Sequence, residues 1–170
     1  NKASTESPLG KMVLSKRGKS IISWLLRKSV RWFPRATIKS FLEAEADLAK
    51  PKLNEIVDQM MKDPESLRGL KIFVDSLTPM DEMFEGMMDE VEKSQQPDSI
   101  PWDALCMPVF AVHSRVDKDV SLDHPKRLEE RIPNLKTKYI NGAGHFVWWG
   151  DEGKSVQRET LKFFHDQSKK

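Results

Sequence analysis

A chain of 170 residues with a formal net charge of +2, 32% charged and 38% hydrophobic residues has the size and composition of one ordinary globular domain. The near-neutral balance gives no reason to expect nucleic acid as a partner, and no apolar run approaches the ~20 residues of a membrane span. One cysteine, Cys106, excludes an intrachain disulfide and fits a reducing, cytoplasmic setting; beside the run Met107 to Val112 it is expected as a small buried hydrophobe rather than a nucleophile.

The first hundred residues read as helical. From Lys19 to Phe33 the residues Ile21, Ile22, Leu25, Leu26 and Val30 recur at spacings of three and four, which puts them on one helical face, and Pro34 closes the segment. Further helices are expected from about Ala36 to Leu48, Lys52 to Lys62 and Glu65 to Ser76. A fifth is expected from Thr78-Pro79 toward Ser94, with Thr78 as N-cap and Pro79 in the first turn. Gln95 to Pro101 is a polar, proline-containing linker.

Beyond it the pattern alternates strand, helix, strand, helix. Met107 to His113 is a nearly continuous apolar run, the mark of a strand buried on both faces. Ser121 to Glu130 reads as a helix with Ser121 at its N-cap. Leu135 to Ile140 reads as a second strand, more exposed because of Lys136 and Lys138. The last helix, Glu152 to Gln167, sets Val156, Thr160, Phe163 and Phe164 on one side. A strand-helix-strand unit this short implies a parallel pair. Two parallel strands do not make an independent sheet, so this half is expected to be the edge of a larger one.

The loops after the two strands carry the chemistry. Val112-His113-Ser114-Arg115-Val116-Asp117-Lys118-Asp119-Val120 follows the first, and Asn141-Gly142-Ala143-Gly144-His145-Phe146 follows the second. Functional groups of open parallel sheets gather at the carboxyl ends of strands, and adjacent strands ~4.8 Å apart bring such loops together. An acid and a histidine presented this way can act as the orienter and base of a nucleophilic hydrolase. Gly142 and Gly144 are expected to let the loop turn tightly. Asp119 is a competing acid. His113 reads as structural, and His124 and His165 receive no role. No histidine or acid spacing suggests a metal site, and no cofactor is expected.

The motif His113-Ser114-x-x-Asp117-x-x-Val120-Ser121, followed by Gly142-Ala143-Gly144-His145 with 27 residues between Asp117 and His145, resembles the acid and histidine segments of the α/β-hydrolase superfamily. Ser114 replaces the usual glycine and Ser121 the usual proline. The resemblance covers about Trp102 to Lys170. It implies an α/β class, specifically the C-terminal part of an α/β-hydrolase core over residues 101–170, with an incomplete sheet. Residues 1–100 are then a helical cap or lid. It further implies that Asp117 and His145 are the catalytic acid and base. No Gly-x-Ser-x-Gly elbow and no His-Gly-Gly loop occurs in the chain, so the nucleophile is expected from an upstream part of the same hydrolase. That part, or a second copy, would complete the sheet, and this chain alone is expected to be inactive.

The expected substrate is a small or medium apolar ester or related acyl compound. An aspartate-nucleophile hydrolase of the epoxide or haloalkane type, and a non-enzymatic scaffold of hydrolase ancestry, are the alternatives. Met60, Met61, Met80, Met83, Met87 and Met88 suit core filling or an adaptable apolar lining. Trp148 and Trp149 are expected to pack the last helix and the mouth of the site. Charge is unevenly placed: Lys11 to Arg35 holds no acid, whereas Asp81 to Glu92 is strongly acidic. This suits two solvated faces that attract each other, with a membrane-surface or anionic-ligand role for the basic stretch as the alternative. Trp24, Trp32 and Phe33 among those basic residues suit a membrane surface, but a cap helix shielding a site accounts for them more simply. Gly18-Lys19-Ser20 matches only the tail of a phosphate-binding loop, because position 13 is valine where that loop requires glycine.

Overall fold

The structure, a computed structural model, describes residues 16–78, 86, 88–90, 92–93 and 101–169. The elements are α1 (Lys16–Trp32), α2 (Pro34–Glu45), α3 (Lys50–Lys62), α4 (Pro64–Ser76), a 3-10 turn (Trp102–Ala104), β1 (Val109–Ser114), α5 (Asp123–Arg131), β2 (Leu135–Ile140) and α6 (Gly150–Gln167). Residues 86, 88–90 and 92–93 are helical, within the span expected for the fifth helix. The rest of that helix beyond Thr78, with Met80, Met83 and Met87, lies outside the described residues, as does the linker up to position 100. No helix among the described residues is long and apolar enough to cross a membrane.

The chain forms two compact units, residues 1–37 with 67–98 and residues 38–66 with 99–170. In the first, α1 turns Ser23 inward and holds Ile22, Leu26 and Val30 half-buried. Arg27 bonds Thr78 through Nε to Oγ1 at 2.7 Å and through Nη2 to the carbonyl at 3.2 Å. Its guanidinium also lies 3.6 Å from Asp75 on α4. The apolar face expected of α1 is therefore divided: Ile21 and Leu25 are exposed, not buried with Ile22 and Leu26. Pro34 does not merely end α1. Phe33 alone breaks the helix, and Pro34 then opens α2, where a missing N–H costs nothing.

In the second unit the core is built from Ile38 and Leu42 on α2, Ala46 just past it, Leu53, Ile56, Val57 and Met60 on α3, and Ile140, Ala143, Phe146, Trp149 and Val156. Phe146 stacks on Trp149 with centroids 4.2 Å apart, and Phe41 meets both rings edge-on at 5.8 and 6.0 Å. Lys154 on α6 pairs with Asp63, the C-cap of α3, at 2.9 Å; this contact and Ser66 hold the Asp63 carboxyl below its usual range. Met61 is half-buried, so only Met60 is a core methionine of α3.

β1 and β2 are parallel, in a register running from Val109 opposite Leu135 to Ser114 opposite Ile140. Their side chains alternate between two faces. One face carries Tyr139, whose hydroxyl bonds Glu129 of α5 at 3.0 Å. The other carries Phe110, stacked on Phe163 of α6 at 5.5 Å, and Lys138, which pairs with Glu159 and bonds Ser155 of α6. One helix thus covers each face.

Four expectations are corrected here. Val109 to Val112 are only half-buried, because among the described residues β1 has a strand partner on one edge alone; burial is complete only at His113 and Ser114. Cys106 is exposed rather than buried. Pro108 has no N–H for the ladder, so pairing begins at Val109, whose N–H bonds Asn134 at 3.0 Å, and Cys106 stays outside the strand. Ser121 is not the N-cap of α5. Leu122 holds that position, and Ser121 Oγ accepts the Asp123 N–H from one residue further out. Phe164 is exposed, because Phe163 takes the place against the sheet.

Candidate active site

Asp117 lies three residues past the end of β1 and His145 five past the end of β2, so the parallel register delivers both to one end of the sheet. Asp117 Oδ2 and His145 Nδ1 are 3.1 Å apart. The Asp117 side chain is 4% exposed and the His145 side chain 45%. Asp117 Oδ1 accepts two backbone N–H bonds from its own loop, Asp119 at 2.8 Å and Val120 at 2.9 Å. One oxygen is thus anchored by the backbone, which aims the other at the imidazole. A short acid whose oxygen closes its own turn is a stiff orienter. Asp119, the competing acid, contributes its backbone N–H to this arrangement and not its carboxylate to His145.

The end of α2 supplies what the local sequence does not announce. The helix stops at Glu45, short of the Leu48 expected from periodicity, because Ala46 forms an antiparallel bridge with Asp117 and the Asp47 N–H bonds Val116 at 2.8 Å. The Glu45 carbonyl then accepts the N–H groups of both Lys118 and His145, each at 3.2 Å. Lys118 Nζ also reaches the Glu43 carbonyl at 2.7 Å. A single helix end ties the acid loop to the histidine loop.

Gly144 makes that approach possible. Its φ is +63°, and a Cβ there would stand 2.3 Å from the Glu45 carbonyl oxygen and 2.5 Å from Ala46 Cβ. Gly142 closes the tight turn, its carbonyl accepting the Gly144 N–H at 3.0 Å, but does not need glycine's freedom. Its backbone is not left-handed, and a Cβ would meet Glu152 Cβ at 3.4 Å, an ordinary contact. Glu152, in the first turn of α6, accepts the Asn141 N–H at 2.8 Å and fixes the start of the loop.

The Glu45 side chain faces the same ground. Its Oε2 is buried without a hydrogen-bond partner. Desolvation first, then the neighbouring Asp119 carboxyl, hold the Glu45 carboxyl above the usual range; the nearby His145 opposes the shift and Asp117 adds to it. Nothing in the local sequence marks Glu45, which lies far upstream in a helix.

Of the remaining candidates, His113 is buried beside the Tyr139 ring, with centroids 6.5 Å apart and the planes nearly perpendicular, and His124 and His165 are exposed on helices. Trp149 is buried beneath the loop, while Trp148 is 44% exposed beside Phe146. No cluster of three potential metal ligands occurs among the described residues.

Two parallel strands with a helix on each face and helices ahead of them constitute part of an α/β-hydrolase fold. Among solved structures, the alpha/beta hydrolase fold protein from Nakamurella multipartita is similar, with a TM-score of 0.71 and 22% sequence identity. The match covers 89% of this chain and 52% of that one, so the chain spans about half the length of the solved chain it matches. No family model and no curated protein matches the sequence.

Proposed function

We propose that this chain supplies the acid and the base of a hydrolase acting on a small or medium apolar ester or related acyl compound, its serine nucleophile coming from residues outside the chain. The observation that carries the reading is the anchored contact between Asp117 Oδ2 and His145 Nδ1 at 3.1 Å. With Nδ1–H donated to Asp117, the free nitrogen of a neutral imidazole is Nε2, the one suited to take a proton from a hydroxyl. The serine oxygen then bonds to the acyl carbon, and His145 returns the proton to the departing alcohol. Water, deprotonated by the same nitrogen, releases the acid and restores the serine. Asp117 stays ionised throughout and offsets the imidazolium charge. Residues 1–100 take the part of a helical cap, and the exposed Trp148 offers an apolar face for the acyl group.

The test is hydrolysis of p-nitrophenyl esters of increasing acyl length by the polypeptide that joins this chain to its nucleophile-bearing part. His145→Ala should abolish turnover. Asp117→Asn should lower kcat by up to ~10⁴-fold, through loss of the correct tautomer. Near-native turnover in either variant removes that residue from the mechanism. Turnover of epoxides or haloalkanes without esters would replace serine by an aspartate nucleophile.

A further inference from the structure

We infer that α1 is an interfacial helix that lays its outer face on an anionic lipid surface. The inward side of α1 carries Ile22, Ser23, Leu26 and Val30, all buried or half-buried. The outward side is apolar too. Ile21, Trp24, Leu25 and Trp32 follow one another at helical spacing and are 53–59% exposed, with Phe33 continuing the patch just past the helix. A helix apolar on both sides calls for cover on both, and exposed aromatic residues in one stripe mark a contact surface rather than chance.

Charge selects the occupant. No aspartate or glutamate occurs between Lys11 and Arg35, a stretch with eight lysines and arginines. Lys28 lies within the stripe itself, its ammonium 5.7 Å from the Trp24 ring and 5.2 Å from the Trp32 ring. The ammonium lies over both indole rings, a cation–π pairing that joins positive charge to the aromatic stripe. Beside it opens a groove of about 550 Å³ between α1 and α4, lined by Trp24, Arg27, Lys28, Arg31, Leu67 and Lys71. Asp75 also lines it, but is paired with Arg27. Tryptophans at a polar–apolar margin, aliphatic residues between them and cations around them are what a layer of phosphate headgroups over acyl chains binds. A protein partner of ordinary composition would match the apolar stripe but not the excess of positive charge around it.

The experiment is co-sedimentation of this chain with vesicles of phosphatidylcholine alone and of phosphatidylcholine mixed with phosphatidylglycerol, with tryptophan emission as a second readout. The expected result is binding to the anionic vesicles, a blue-shifted emission, weakening with added salt, and no binding to the neutral ones. Lys28→Gln with Arg31→Gln should lower the partition coefficient about 30-fold, since each basic side chain near such a surface contributes about fivefold. Trp24→Ala with Trp32→Ala should lower it about 10-fold or more. All four positions are on the surface of the helix, and unchanged far-UV circular dichroism confirms that the variants fold. No binding to anionic vesicles overturns the inference. So does binding that the tryptophan variant leaves intact, or self-association through this face that the tryptophan variant abolishes without any vesicle binding.

Discussion

Replacing Gly144 by alanine tests how the histidine loop is held, and its cost can be assembled from the structure. The residue sits at φ +63°, where an L side chain costs about 1–2 kcal/mol. The new Cβ would stand 2.3 Å from the Glu45 carbonyl oxygen and 2.5 Å from Ala46 Cβ. Neither obstacle is the end of a flexible side chain, so the loop and the helix end must separate. That separation strains the two hydrogen bonds that the Glu45 carbonyl accepts from Lys118 and His145, each worth about 1 kcal/mol net. The sum is about 3–4 kcal/mol, a large share of the roughly 5–15 kcal/mol that holds an ordinary domain. Equilibrium urea unfolding, followed by far-UV circular dichroism, measures it. Gly142→Ala is the matched control: its nearest contact is 3.4 Å and its backbone is ordinary, so it should change stability by no more than about 1 kcal/mol, in the stabilising direction. A Gly144→Ala chain within about 1 kcal/mol of the native one, or a Gly142→Ala chain equally damaged, would refute the reasoning.

Glu45→Gln should raise stability at neutral pH. The native carboxyl binds its proton more tightly than the unfolded one, whose ordinary value is 4.5, so ionising it costs the folded state. That penalty is absent below the ordinary value, develops as pH rises toward the raised one, and is full above it. The advantage of glutamine should therefore shrink as pH falls toward 4.5; unfolding midpoints of the two proteins at neutral and acid pH would show no such change if Glu45 were ordinary. Trp149→Ala, which removes the ring stacked on Phe146, should cost about 3–5 kcal/mol in the same urea measurement, and a loss below about 1 kcal/mol would mean that the cluster does not hold the loop. The chain by itself should hydrolyse no p-nitrophenyl ester above background, because the sequence has no Gly-x-Ser-x-Gly elbow; turnover that His145→Ala abolishes would reveal a nucleophile within it.

Much of this arrangement is legible in the sequence. Val109 to Ser114 and Leu135 to Ile140 stand out by β-forming composition, and a single intervening helix forces them to run parallel. From that, the loops bearing Asp117 and His145 must leave the same end of the sheet. What could not be read was everything depending on a partner distant in sequence. The early stop of α2 comes from the bridge between Ala46 and Asp117, and helical periodicity carries no information about a bridge. The same holds for the Glu45 carbonyl between the two loops, and for the difference between Gly142 and Gly144, identical in a motif but only one of them pressed against a helix end. Cys106 and the outer face of α1 depart from their local pattern for the converse reason. Their neighbours are apolar, but apolar residues are buried only where the tertiary structure brings something to cover them. Local pattern determines which elements form and which way they point; contacts between remote segments decide where they end, which glycine is obligatory and which apolar face meets water.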